Sequence, residues 1–237
     1  MKVPDLLKSL ALAELNNLFI GQTGEIEESK IPRIVLAIND GLLALYTRFL
    51  LRERSLVIRM RAGITNYHLK KKFAISNYDV GNMPTAWDAP YIIDTGTEPF
   101  REDVIRVLAV YNYAGTLLPM NDNIRPDSVF TPQATVLQVP FALDGKMLSV
   151  TFQAKHEAIP DSGYEDLDVD LPDFLIPALR YFVASSVYSQ MNTQENTMKG
   201  QEYQMKYEAV CKEAVDMDLI STSVSTTNSR FEKNGWV

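Results

Sequence analysis

Residues 31–50 carry the strongest pattern in the sequence, a helix with two apolar rows. The first row follows alternating spacings of four and three and consists of Ile31, Val35, Ile38, Leu42, Leu45 and Phe49. The second row lies on another face and consists of Leu36, Leu43, Tyr46 and Leu50. A helix that is apolar on two faces must be covered on both sides. We expect the cover to come from the rest of the chain or from a neighbouring subunit.

Composition excludes several classes of protein. The 237 residues are 46% hydrophobic, which is enough for a substantial core, and their net charge of −7 disfavours nucleic-acid binding. A single cysteine, Cys211, excludes an internal disulfide, and the usual four-ligand structural zinc site lacks its Cys and His residues. The opening residues do not resemble a signal peptide, and no apolar run approaches a membrane span. We therefore expect a soluble protein that is made in the cytoplasm.

Helical spacing also appears near both ends of the chain. It predicts a short helix over 4–18 and another over 174–191. Asn192 with Glu195 three residues later resembles a capping box that opens a last helix.

The middle of the chain changes to the period of β-strands. Apolar and polar residues alternate over 56–61 and again over 104–113, and a glycine- and proline-rich stretch over 78–99 predicts a long irregular loop. Around Asp144-Gly145 the pattern predicts a hairpin over 134–154, because this dipeptide tolerates the positive φ angles of a type I′ turn.

The element order predicts an α+β fold in which helices from both ends form a bundle. Residues 1–54 and 170–220 would form that bundle, and residues 55–169 would form a β-rich insertion. Residues 221–237 begin with nine positions of which seven are Ser or Thr, and they contain Phe231 and Trp236. This segment predicts a flexible arm that carries aromatic anchors.

Catalytic signatures are missing from the sequence, which has no phosphate loop, dinucleotide-binding fingerprint, nucleophile elbow or zinc-protease motif. Six carboxylates between Asp161 and Asp173 favour a solvated loop before a helix, and a calcium site is the alternative. His68 or His156 with one of these carboxylates keeps a small hydrolytic enzyme as an alternative function. The prediction is a protein without catalytic residues, cofactor or metal.

Basic residues cluster between Arg48 and Lys72, where Glu53 is the single acid. The candidate partner-binding residues in this cluster are Arg48, Arg52, Arg54, Arg59 and Arg61, to which the arm adds Phe231 and Trp236. The simplest interpretation of this cluster is a solvated face. If it binds a partner, a protein is favoured over DNA, because the rest of the chain is acidic.

Three stretches, 12–18, 31–51 and 171–208, carry a resemblance to a known family. They run from Leu12-Ala13-Glu14-Leu15, through Ile31-Pro32-Arg33, to Gln201-Glu202-Tyr203 and beyond. In pattern and element order the sequence resembles the head-to-tail adaptor proteins of tailed bacteriophages, the connectors also described as tail tubular protein A-like.

The resemblance implies a structural protein of the virion neck that is synthesised in the host cytoplasm. Copies would assemble into a homo-oligomeric ring, a dodecamer, that binds the portal protein on one side and a tail or nozzle protein on the other. DNA would pass through its channel at ejection without specific binding. A tail-side completion or terminator ring is the alternative within the same class.

Overall fold

The computed structural model describes most of the chain, in residues 1–16, 18, 26–76, 89–94, 99–191 and 193–220. Within these residues the fold is α+β, with four α-helices and two β-sheets. The chain divides into two compact units. The helical unit consists of Met1–Leu51 with His156–Val237, and the β unit consists of Arg52–Lys155.

The helices of the helical unit begin at residues that suit a helix start. They are α1 (Val3–Leu12), α2 (Ile31–Arg48), α3 (Ile176–Ser189) and α4 (Gln194–Asp216). Pro4, Pro32 and Pro177 lie in the first turns of α1, α2 and α3, where a missing N–H breaks no intrahelical bond. The cap of α4 is Thr193, whose hydroxyl accepts a hydrogen bond from the Asn196 N–H. The predicted cap, Asn192, lies outside the described residues.

α3 packs against both α2 and α4. The first apolar row of α2 is buried, as the spacing predicts, except that Ile31 is half-buried. Gly41 allows α2 and α3 to approach closely, since a Cβ there would lie 2.8 Å from Leu179 Cδ1 and 2.9 Å from Phe182 Cδ1. A membrane span would need a longer, more apolar helix than any in the described part of the chain.

Residues 156–169 belong to the helical unit, although the sequence pattern assigned them to the β insertion. Two backbone hydrogen bonds tie this segment to the first residues of the chain. The Val3 N–H donates to the Leu167 carbonyl at 3.0 Å, and the Val169 N–H donates to the Met1 carbonyl at 2.8 Å. Long-range pairing of this kind has no local signal in the sequence, because the partners are more than 160 residues apart.

The β unit contains a five-stranded and a three-stranded sheet. The strands are β1 (Glu53–Arg59), β2 (Asn66–His68), β3 (Ala74–Ser76), β4 (Ile92–Asp94), β5 (Val104–Tyr111), β6 (Phe130–Gln133), β7 (Val136–Gln138) and β8 (Met147–Ala154). The larger sheet has the order β3-β4-β1-β8-β5, with β3 and β4 parallel and the other neighbours antiparallel. The smaller sheet has the order β2-β7-β6.

The core of the β unit draws on both sheets. Leu56 and Ile58 of β1 lie on one face, because alternate residues of a strand point the same way, and they share a buried cluster with Val150 and Phe152 of β8. The smaller sheet contributes buried side chains to the same cluster, Tyr67 among them.

The predicted hairpin at Asp144-Gly145 is wrong. β8 does follow this turn, but it pairs with β1 and β5, and residues 139–143 before the turn form no strand. The Lys146 N–H donates to the Leu143 carbonyl, and Gly145 takes a φ of +73° whereas Asp144 does not take a positive φ. A type I′ turn requires positive φ at both central residues, so this turn does not fold the strands back on each other.

Candidate interaction surfaces

The predicted basic residues are divided between the two units. Arg48 ends α2 in the helical unit, where its guanidinium pairs with Glu208 of α4 at 2.7 Å. The same guanidinium lies 5.9 Å from the Tyr207 ring centre and 5.6 Å from that of Phe49. Arg48 therefore connects α2 to α4, and its cationic group is engaged by its own unit.

Arg54 is a largely buried structural residue of the β unit. It lies on the same row of β1 as Leu56 and Ile58, and its guanidinium pairs with Asp103 at 2.9 Å. Both side chains are largely buried. Because the carboxylate compensates the buried cation, we assign Arg54 to the interior of the unit and not to its surface.

The other three arginines also lie in the β unit. The Arg61 side chain donates a hydrogen bond to the Pro90 carbonyl at 3.0 Å. Arg52 and Arg59 are half-buried. The sequence placed all five arginines in one cluster because they are close along the chain, but the fold engages Arg48, Arg54 and Arg61 in three separate contacts. The predicted anchors Phe231 and Trp236 lie outside the described residues. Of the predicted irregular loop over 78–99 the structure describes residues 89–94 and 99, and there the prediction is wrong in part, because Ile92–Asp94 form β4 of the larger sheet.

Charge is distributed unequally between the two units. The helical unit has 11 basic against 20 acidic residues, a net charge of −9. The β unit has 12 basic against 10 acidic residues, a net charge of +2. All of the excess negative charge of the chain therefore belongs to the helical unit.

Two helices of the helical unit expose pairs of apolar side chains. On α2, Leu36 and Leu43 of the second apolar row are 62% and 48% exposed, whereas Tyr46 of the same row is buried. On α4, Met198 and Met205 are also exposed. Each pair is separated by seven residues, so its members lie on the same face of their helix. We call these the α2 pair and the α4 pair.

The two histidines belong to different units. The Asp170 N–H donates to His156 Nε2 at 3.1 Å, Nδ1 of the same ring contacts the Glu157 carbonyl, and the edge of the ring meets Tyr46 at 5.5 Å between centroids. His68 lies on β2, where its backbone N–H donates to the Tyr91 hydroxyl and its ring lies 6.4 Å from that of Phe73. Both histidines thus take part in the packing of their own unit.

The acidic segment 161–173 provides no metal site among the described residues, since no group of three or more His, Cys, Asp or Glu side chains there could hold an ion. Its ordered contacts are structural. Lys2 pairs with the exposed Asp166 at 3.2 Å, and the Asp170 carbonyl accepts a hydrogen bond from the Tyr46 hydroxyl.

Cys211 is fully buried on α4. Burial raises the pKa of its thiol and raises the pKa of the neighbouring Tyr207 to about 12. A buried thiol with a raised pKa holds little thiolate at neutral pH, so Cys211 behaves as a small core residue.

An apolar groove in the β unit has no counterpart in the sequence patterns. It has a volume of about 460 Å³. Its floor is buried and includes Met60, Val129 and Leu148, and its rim is exposed and includes Tyr113, Pro126, Pro140, Phe141 and Leu143. These residues come from four separate stretches of the chain, so only the fold brings them together. We call this feature the β-unit groove.

No protein-family model matches this chain, and no curated protein matches it.

Proposed function

We propose that this protein is a structural component of a tailed-bacteriophage virion, a head-to-tail adaptor that assembles as a ring between portal and tail. The proposal starts from the resemblance in sequence pattern. The observation that carries it is the exposed α2 pair, because a folded chain that leaves heptad-spaced leucines uncovered presents a surface for another subunit.

The α2 pair is suited to lateral contact between subunits. Leu36 and Leu43 lie about 10 Å apart along the helix axis, and full burial of a leucine side chain contributes about 1.5–3 kcal/mol. The first row of the same helix is already used by the core of the unit. Leu36 and Leu43 of the second row are therefore available to a neighbouring copy.

A closed ring needs two different surfaces on every subunit, since each copy contacts the next by a head-to-tail interface. The α4 pair supplies the second surface in this proposal. Methionine side chains adapt to irregular surfaces, which suits Met198 and Met205 to a contact with the two leucines of a neighbour.

The arrangement of the chain supports the same function. In the proposed architecture the helical unit is a bundle made from both ends of the chain, and the β unit is an insertion into it. The net charge of −9 on the helical unit suits a surface that DNA passes without being held, because basic side chains would bind its phosphates.

Native mass spectrometry of the full chain tests the assembly. We expect the wild-type protein to form a closed ring, and the variants Leu36→Glu/Leu43→Glu and Met198→Glu/Met205→Glu to remain monomeric. A mixture of the two variants should form a heterodimer and stop there, since each partner keeps one intact surface. Leu117→Glu, at an exposed leucine of the β unit, is the matched control and should leave the ring intact.

Electron microscopy of the ring with purified portal protein tests the position in the virion. A complex with portal supports the adaptor, whereas a ring that binds tail tube and not portal identifies the tail-side completion protein. A wild-type chain that stays monomeric and binds neither portal nor tail tube would refute the proposal.

A further inference from the structure

Three consecutive lysines, Lys70-Lys71-Lys72, form an exposed turn of the β unit. The backbone is anchored at both ends of this turn. Leu69 before it is fully buried, and Phe73 after it stacks on Tyr91 with 4.8 Å between the ring centres. All three lysine side chains between these anchors are exposed, so the fold presents them at a fixed place on the surface of the unit. We call this feature the lysine turn.

The cations of the lysine turn have no acidic partner in the described part of the chain, where no ion pair joins their ammonium groups to a carboxylate. The carboxylate of Glu102 contacts the backbone of the turn, since its Oε2 accepts a hydrogen bond from the Lys71 N–H at 3.1 Å. The Lys72 ammonium lies 4.7 Å from the ring centre of Phe73, a contact that orients it and leaves its charge in place. The turn therefore presents three cations beside one carboxylate.

The fold changes which members of the predicted basic cluster can meet a partner. Arg48, Arg54 and Arg61 are engaged within their own units, whereas the lysine turn is not. The turn also belongs to the unit with a net charge of +2. Charges farther away than about 10 Å are largely screened at moderate salt, so the net charge of −7 does not prevent a local attraction to an anion.

The composition of the turn favours a nucleic acid over a protein as the partner. Lysine is depleted in protein–protein interfaces, where arginine and aromatic residues are enriched. A lysine ammonium is a point charge on a flexible stem, so it binds a phosphate without a fixed geometry. Duplex DNA carries one phosphate charge for about every 1.7 Å of its axis, and neighbouring lysines can therefore reach separate phosphates.

We propose that the lysine turn binds the phosphate backbone of duplex DNA, independently of base sequence. Each copy neutralises about two or three phosphates, so the contact made by one copy is weak and decreases steeply with salt. This inference goes beyond the proposed function, which assigns no residue to a DNA contact. It does not depend on that function, since it concerns one unit of a single chain.

Fluorescence anisotropy of a labelled duplex of about 20 base pairs, titrated with the full chain, tests the proposal. We expect a dissociation constant below about 100 µM at about 50 mM salt, and a plot of log affinity against log salt with a slope of about −2 to −3. Lys70→Ala/Lys71→Ala/Lys72→Ala should weaken binding about tenfold or more at this salt and remove most of the slope. The corresponding triple arginine variant keeps the charge and should keep both the affinity and the slope.

A control of equal charge separates the turn from the net charge of the chain. Lys8→Ala/Lys155→Ala/Lys212→Ala removes three cations from separate exposed positions, and it should bind the duplex as the wild type does. All the substituted side chains are exposed, so the variants keep their cores, and circular dichroism checks this. Native mass spectrometry of the alanine variant of the turn should show an unchanged assembly, which keeps this test separate from that of the ring.

Competition distinguishes a nucleic acid from an acidic protein. Unlabelled duplex should displace the labelled duplex at a charge concentration about tenfold or more below that of poly-L-glutamate. Displacement by poly-L-glutamate at equal charge concentration would overturn the proposal in favour of an acidic protein. A wild-type chain that does not bind the duplex, a turn variant that binds like the wild type, or an equal loss in the control would also overturn it.

Discussion

The ion pair between Glu14 and Arg180 gives a sharp prediction about the stability of the helical unit. Glu14 follows α1, and its carboxylate accepts two hydrogen bonds from the Arg180 guanidinium of α3, at 2.9 Å from Nε and 2.7 Å from Nη2. The Tyr188 hydroxyl donates to the Glu14 backbone carbonyl at 3.2 Å. One residue near the N-terminal end thus joins two sequence regions that are more than 160 residues apart.

The two sides of this pair are not equivalent, because their exposure differs. The Glu14 side chain is 7% exposed and that of Arg180 is 24% exposed. Arg180→Ala leaves a buried carboxylate without its two charge-assisted bonds, and we expect it to lower the free energy of unfolding by about 3–5 kcal/mol. Glu14→Ala leaves a guanidinium that can reach water, so we expect a smaller loss of about 1–3 kcal/mol.

Urea unfolding followed by far-ultraviolet circular dichroism measures both losses. Glu14→Gln keeps the size of the side chain and one acceptor oxygen, and its cost should lie below that of Arg180→Ala. Arg125→Ala breaks the exposed pair with Asp127 in the β unit and should cost less than about 1 kcal/mol. If Arg180→Ala costs no more than Glu14→Ala, or no more than Arg125→Ala, the reasoning from burial is refuted.

Two further predictions concern pH and a single turn. Burial raises the pKa of Tyr91 in the β unit and of Tyr207 in the helical unit to about 12, whereas an unfolded tyrosine ionises near pH 10. Between pH 10 and pH 12 each tyrosine keeps its hydroxyl proton in the folded state and loses it in the unfolded state. Each tyrosine should therefore lower the free energy of unfolding by about 1.4 kcal/mol for every pH unit by which the pH rises in this range. Urea unfolding at several alkaline pH values measures this slope. Tyr91→Phe and Tyr207→Phe should each reduce it, and a slope that neither variant changes would contradict the raised pKa of these two tyrosines. Gly145→Ala should destabilise the β unit by about 1 kcal/mol in thermal melts because its φ is +73°, and Gly145→Asn should cost less because asparagine tolerates this conformation. Equal costs for the two variants would show that φ is not the cause.

Helix α2 was predictable because its signal is local. The spacing of Val35, Ile38, Leu42 and Leu45 places them on one face, and the structure buries all four. The second row raised the question of what covers it. In the structure, Tyr46 of this row is buried within its own unit, whereas Leu36 and Leu43 remain exposed.

The order of strands was not predictable, because the pairing is not between neighbours in the sequence. β1 and β8 pair over seven residues, from Glu53 with Gln153 to Arg59 with Met147, although about 90 residues separate them. The Asp144-Gly145 dipeptide indicates a turn correctly and cannot say which strand its chain meets next. The β-unit groove was not predictable for the same reason, because its residues come from separate stretches of the chain and share no spacing in the sequence.

The clustered arginines show a further limit of reading charge along a chain. Arg54 occupies a core-facing position of β1 only because Asp103 lies beside it, and Asp103 is 49 residues away. A basic side chain with a buried carboxylate partner contributes to folding and not to an external surface. The sequence shows both residues and gives no sign that they meet.

The division of charge changes what the acidic character of the chain implies. A net charge of −7 for the whole chain suggests a surface that avoids DNA everywhere, but the β unit by itself has a net charge of +2. Electrostatic attraction to phosphates depends on the local surface and is screened within about 10 Å at moderate salt, so the average over the chain is the wrong quantity.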